Sequence, residues 1–277
     1  MGVPPRPPIP RTPPVPVPEF YKPTLIRMPM FLLLWADSGA GKTTLAATAP
    51  GDKAYIQFDP GGYVSLANRT DYFLLDCSGY SYANTMAQFN TVDPFNIKKF
   101  ISETPSIGTI VIDSVTTLAH QALQYAVTIQ RNSTFDMPGQ HGYGTRNQVM
   151  RRVVGLLMQI ASALDKNLIV IAHEGVPDED SKQITLSLST ALSNDISLRF
   201  NEVWWMKDMG DARQIHIRSH GRYKPMKSRM FLSNGANFFT WHYDADTKQG
   251  DGIAEWMAAW QANGGDKIPL PERRIQK

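Results

Sequence analysis

Residues 36–43 read Ala36-Asp37-Ser38-Gly39-Ala40-Gly41-Lys42-Thr43, which fits A/G-x-x-x-x-G-K-S/T with Ala at a first position where Gly is commoner. The apolar run 30–35 precedes it and reads as a buried strand, and a helix is expected from Lys42 through residues 45–48. Strand, glycine loop and helix in that order form a phosphate-binding loop. Gly39 and Gly41 let backbone N–H groups close around phosphate oxygens, and the helix N-terminus adds positive potential. Lys42 is expected to reach the β- and γ-phosphates, and the Thr43 hydroxyl to bind Mg²⁺. The expected nucleotide-binding segment is therefore Ala36, Asp37, Ser38, Gly39, Ala40, Gly41, Lys42, Thr43 and Thr44, with ATP and Mg²⁺ as cofactors.

Outward from the loop, strand and helix patterns alternate. Strands are predicted over 54–58, 72–77, 109–112 and 167–172, and helices over 81–103 (interrupted at Pro94), 115–130 and 146–164. Residues 132–144 are rich in turn formers and read as a loop. This alternation implies an α/β fold, a mainly parallel central sheet with helices on both faces. Shorter strands are expected over 183–188, 202–206, 214–218 and 229–232, adding antiparallel pairs toward the C-terminus. A short amphipathic helix is predicted over 253–261, with Trp256 and Trp260 on one face. The expected organisation is a proline-rich arm over 1–23, a nucleotide-binding domain over 24–245 and a tail over 246–277. Proline fixes φ and removes donors, so the arm reads as a polyproline-II-like or disordered tether, or a ligand for a proline-binding partner.

Polar residues at the carboxyl ends of parallel strands face the crevice where such sheets bind ligands. Thr109-Ile110-Val111-Ile112-Asp113 places Asp113 there as the second Mg²⁺ holder, the Walker B carboxylate. Asp59 ends the strand over 54–58, as a water-orienting group or as a turn carboxylate before Gly61-Gly62. His173 and Glu174 end the strand over 167–172, either sensing the γ-phosphate, activating water or capping the strand.

The ordered stretches LLLWADSGAGKTTLAATAP, YIQFDPGG, TIVIDSVTTL, GYGTRNQVMRRVV, LIVIAHE and FNEVWWMKD…RSHGRYKPMKSR together resemble the RecA-like P-loop ATPases of the phage single-strand annealing and recombination type. The likeness spans roughly residues 30–230. It implies ATP hydrolysis acting on single-stranded DNA, a homo-oligomeric ring or filament, a single-strand-binding protein as a possible partner, and a cytoplasmic setting (the bacterial host's, for a phage gene). Lys227-Ser228-Arg229 resembles the K-x-R element that reaches a neighbour's γ-phosphate in such assemblies, a finger acting in trans. Where RecA proteins carry a catalytic glutamate, this chain has Asp59-Pro60-Gly61, which leaves Asp59 or Glu174 to substitute. The DNA-binding loops implied by the resemblance fall on 132–145 and 175–183. The first is flanked or lined by Arg131, His141, Tyr143 and Arg146, where tyrosine stacks a base and arginine holds phosphate. The second carries Pro177-Asp178-Glu179-Asp180 and suits a phosphate backbone poorly.

The bulk numbers bound these readings. A chain of 277 residues with 42% hydrophobic and 19% charged residues can bury a sizeable core. Its single cysteine, Cys77, excludes an internal disulfide, and no apolar run reaches membrane-spanning length, so no membrane partner is expected. A net charge of +3 argues weakly for a polyanionic partner, but Arg213, His216, Arg218, His220, Arg222, Lys224, Lys227 and Arg229 crowd one segment. The same loop also fits a replication or packaging motor, such as a helicase or helicase loader, and a nucleotide-gated binding module with little hydrolysis. A small-molecule kinase would need an arginine-rich lid soon after Asp113, which the sequence lacks.

Overall fold

A computed structural model describes residues 29–81, 84, 97–131, 139–233, 235–244 and 250–271. The strands are β1 (Phe31–Ala36), β2 (Asp52–Gln57), β3 (Tyr72–Asp76), β4 (Ile107–Asp113), β5 (Asn167–His173), β6 (Glu202–Asp208), β7 (Arg213–His216) and β8 (Phe238–Trp241). The helices are α1 (Lys42–Ala46), α2 (Ile97–Glu103), α3 (Val115–Arg131), α4 (Gln140–Ala163), α5 (Thr190–Arg199) and α6 (Ile253–Ala262). One eight-stranded sheet runs in the order β3-β2-β4-β5-β1-β6-β7-β8. The first six strands in that order are parallel, and β7 and β8 add antiparallel pairs.

Strand β1 is apolar along its whole length, and β4 and β5 carry continuous apolar runs over 110–112 and 168–172, because both faces of the sheet are covered there. Alternate residues of each strand go to opposite cores. Leu33, Trp35, Ile110, Ile112, Leu168, Val170 and Val203 pack with α2, α3, α4 and α5. Leu32, Leu34, Val111, Ile169, Ile171, Trp204 and Met206 pack with α1 and α6. Each such fully buried aliphatic side chain contributes about 1.5–3 kcal/mol. Asn167 ties the start of the central strands together: its amide oxygen accepts from Met30 N–H at 2.9 Å, and its amide nitrogen donates to the Gly108 carbonyl at 3.2 Å.

Several expectations are corrected. Helix α1 stops at Ala46, two residues earlier than expected. Thr48 then receives α6: its hydroxyl accepts from Ile253 N–H and its carbonyl from Ala254 N–H. Residues 140–144, read as loop, form the first turns of α4. Gly142 and Gly144 each cost the helix about 1 kcal/mol, and burial of Met150, Val153, Val154, Leu157 and Ile160 on the same helix offsets that. Residues 190–199 form the unforeseen helix α5, so β6 returns parallel to β1 rather than antiparallel. Residues 183–188 pair only through isolated bridges, Glu174 with Leu186 and Ile184 with Tyr223. The stretch 229–232 is no strand and makes one bridge, Phe231 with Ile268. Strand β8 forms where the sequence predicts no strand. The proline-rich arm, residues 82, 83 and 85–96 of the helix expected over 81–103, and 132–138 lie outside the described residues. Among the described residues no helix is long and apolar enough to cross a membrane.

Candidate nucleotide site

Parallel alignment brings the carboxyl ends of β1, β2, β4 and β5 to one edge of the sheet. The loop after β1 turns there. Gly39 and Gly41 have φ of 77° and 92°, a region L-residues with side chains avoid, so the tight turn needs glycine at both places. Ala36 is the last residue of β1, and its carbonyl accepts from Glu174 N–H at 2.8 Å. Asp37 caps the turn by accepting from Ser38 N–H at 2.7 Å. Ala40 is buried under the loop. Lys42 folds back to donate to the Ala36 and Asp37 carbonyls at 3.2 and 2.7 Å. Burial holds the Lys42 ammonium below its usual pKa, against the upward pull of Asp113 and Asp59. Thr44 faces a cavity of about 170 Å³ lined also by Ala47, Val64, Asn68, Arg69 and Tyr243.

Thr43 Oγ1 donates to Asp113 Oδ2 at 2.7 Å. Asp113 is buried, and loss of solvent pushes its carboxyl above the ordinary range despite the bond from Thr43. Two hard oxygen donors side by side at the mouth of a phosphate loop suit Mg²⁺, which takes few protein ligands and completes its octahedron with phosphates and water. The residues present therefore fit the ion.

Asp59 is held from three directions. Its Oδ1 accepts from Ser114 Oγ at 2.9 Å and from Thr117 Oγ1, and its Oδ2 lies 2.8 Å from His173 Nε2. Burial would raise its pKa, but the bonds from His173, Thr117 and Ser114 outweigh that and keep the carboxylate ionised. His173 is fixed from its backbone too, where its N–H donates to Thr116 Oγ1 at 3.0 Å. Glu174 accepts from the Trp205 indole at 2.8 Å, and Trp205 stacks on Tyr223 with ring centres 3.9 Å apart.

The structure thus joins Lys42, Thr43, Asp113, Asp59, His173 and Glu174 along one edge. It does not bring Lys227 and Arg229 to them. Lys227 pairs with Val203, which lies beside Leu33, three residues back from Ala36 or about 10 Å along the strand. Lys227 Nζ reaches the Leu198 carbonyl, and Arg229 is exposed, with its N–H held by Glu202 Oε1 at 2.7 Å. His141 and Tyr143 are exposed on the first turns of α4. Arg146 is only 8% exposed, lies over the Tyr143 ring at 5.1 Å and sits within α4, not on a loop. Arg131 ends α3 and its side chain is outside the described part. The acidic segment 175–183 forms a compact exposed turn in which Asp178 accepts from Ser181 and Asp180 N–H groups. Sequence reasoning missed Ser114, Thr117 and Trp205 as partners, since hydroxyls and indoles gain those roles only through long-range contacts.

No curated protein matches the chain. A family model described as an AAA domain, AAA_24, matches residues 28–220. That stretch contains the phosphate loop, Asp59, Asp113, His173 and Glu174, and it identifies a nucleotide-binding P-loop ATPase domain. The chain belongs to the AAA_24 family of AAA domains.

Proposed function

We propose that the chain hydrolyses ATP and acts on single-stranded DNA, in phage-type recombination or strand annealing. The observation that carries hydrolysis is the Asp59–His173 pair at 2.8 Å, on the same strand edge as Thr43 and Asp113. With an ionised Asp59 accepting from His173 Nε2–H, Nδ1 is the ring nitrogen left to accept a proton. His173 then takes a proton from the attacking water, and Asp59 steadies the imidazolium that results. This dyad stands in for the glutamate of RecA proteins. Lys42 and the loop N–H groups hold the phosphates. Thr43 and Asp113 would hold Mg²⁺, which would neutralise phosphate charge. The cavity beside Thr44 gives room for the base.

Support for single strands comes from the RecA-type resemblance and from chemistry at the surface. Tyr143 and His141 are exposed rings, and Arg218, Arg222 and Lys224 are exposed cations. Aromatic rings that stack bases beside cations that track phosphates are what sequence-tolerant single-strand binding uses. Arg229, exposed and far from its own Lys42, suits a finger offered to a neighbouring copy in a ring or filament. The test is ATP turnover with and without single-stranded DNA for wild type, Lys42→Ala and Arg229→Ala, alone and mixed. Stimulation by DNA, loss in each variant and recovery on mixing are expected. Turnover indifferent to DNA, or no recovery on mixing, removes the DNA or the trans claim respectively.

A second reading, a nucleotide-gated binding module, is favoured by one observation. All three bonds to Asp59 come from protein donors, which also fits a structural carboxylate that ties the end of β2 to the start of α3 and the end of β5 and leaves water without a base. DNA binding that depends on ATP without any turnover would select it.

A further inference from the structure

We infer that Arg213 is a second cationic ligand of the nucleotide's phosphates, supplied by the same chain that supplies Lys42. Arg213 opens β7 opposite Asp208, two residues past the point where Met206 pairs with Ala36. That register puts it at the phosphate end of the sheet. Its Nε donates to the Ala40 carbonyl inside the loop at 3.2 Å. A Cβ placed on Gly41 would lie 2.7 Å from Arg213 Nε and 3.5 Å from Cζ, so the guanidinium rests directly on the loop backbone. The absence of a side chain at Gly41 is what admits it.

A guanidinium carries five N–H donors in a rigid fork, and the bond to Ala40 uses one. Among the described residues no carboxylate forms an ion pair with Arg213, although it is half-buried. A partly desolvated cation with free donors, resting on a phosphate-binding loop, is matched by a polyphosphate anion. Its role differs from that of Arg229, which the fold carries away from its own loop. The geometry also gives Arg213 a brace function through Nε, with the two terminal nitrogens left for phosphate oxygens.

The inference rests on nucleotide binding at the loop and is independent of hydrolysis and DNA. Fluorescent ATP and ADP analogues titrated into wild type, Arg213→Ala, Arg213→Lys and Lys42→Ala test it, with melting temperatures of the nucleotide-free proteins as the folding control. Arg213→Ala is expected to weaken both nucleotides about tenfold or more, the scale of one charge-assisted contact, and to flatten the salt dependence of binding. Arg213→Lys, which keeps the charge but not the fork, is expected to fall between. Wild-type affinity in Arg213→Ala overturns the inference. So does an equal loss in the Ala and Lys variants, which marks a brace that depends on guanidinium shape alone. If wild type binds no better than Lys42→Ala, the nucleotide reading of the loop fails and this inference falls with it.

Discussion

Thr43 Oγ1 and Asp113 Oδ2 meet at 2.7 Å although 70 residues separate them. The contact joins the helix after β1 to the end of β4 and creates a paired oxygen site. Asp113 pays a desolvation penalty there, since burial pushes its carboxyl up. Asp113→Asn is therefore expected to melt no lower than wild type without Mg²⁺, with a gain on the order of 1 kcal/mol or roughly 2–4 °C. The same variant should lose the Mg²⁺ dependence of ATP binding. Calorimetry with and without Mg²⁺ checks both, and a variant that melts lower yet retains the Mg²⁺ effect contradicts the assignment.

Asp59→Asn should separate binding from chemistry. Asn can still accept from Ser114 and Thr117, but it no longer carries the charge that orients and stabilises His173. Turnover should fall about 10²–10⁴-fold, the usual worth of a positioned base, with nucleotide affinity changed little. Unaltered turnover would show that water is activated elsewhere, with Glu174 the next residue to vary.

Asp71 accepts from Lys53 Nζ and from both Nε and Nη2 of Arg69. Burial would raise its pKa, but Arg69 and Lys53 overcome that and hold the carboxyl well below the usual range. A depressed carboxylate contributes stability that is complete above its unfolded pKa of about 3.9 and is lost as pH falls through the folded value. Asp71→Asn should remove that acid-side loss. It also strands Lys53, which is 3% exposed, and should destabilise at neutral pH by on the order of 2 kcal/mol. Urea unfolding at pH 7 and pH 3 reads both effects.

His216 gives a second pH dependence of opposite origin. It is buried, neither ring nitrogen has a hydrogen-bond partner among the described residues, and burial lowers its pKa to about 3, with His220 and Lys207 adding to the effect. The folded state therefore refuses a proton that the unfolded chain accepts below about 6.5. Stability should fall by about 1.4 kcal/mol per pH unit from there down to about 3 on this account. His216→Phe keeps an aromatic ring against Trp205 and Phe238 and should flatten that slope. An unchanged slope in the variant would place the acid sensitivity elsewhere.

The phosphate loop, Asp113 and the polar ends of β2 and β5 were legible in sequence because each is a local pattern: glycines at fixed spacing, or an apolar run ending in a polar residue. What stayed hidden was non-local or locally weak. Helix α5 reads TALSNDISLR, a mixture without a clean apolar stripe, so nothing announced it, and without it β6 could not be seen as parallel. The glycines of α4 argued for loop and were overruled by its buried face. The pairing of Asp59 with His173 across 114 residues, and of Arg213 with Ala40 across 173, follows only from strand order and register.

The most direct test of the account is equilibrium binding of ATP to wild type and Lys42→Ala, each with Mg²⁺ and with the metal chelated. Wild type should bind ATP with an affinity that rises with Mg²⁺, and Lys42→Ala should lose more than about tenfold of it. No ATP binding by wild type, or binding that Lys42→Ala leaves intact, would contradict the claim that residues 36–44 hold the nucleotide.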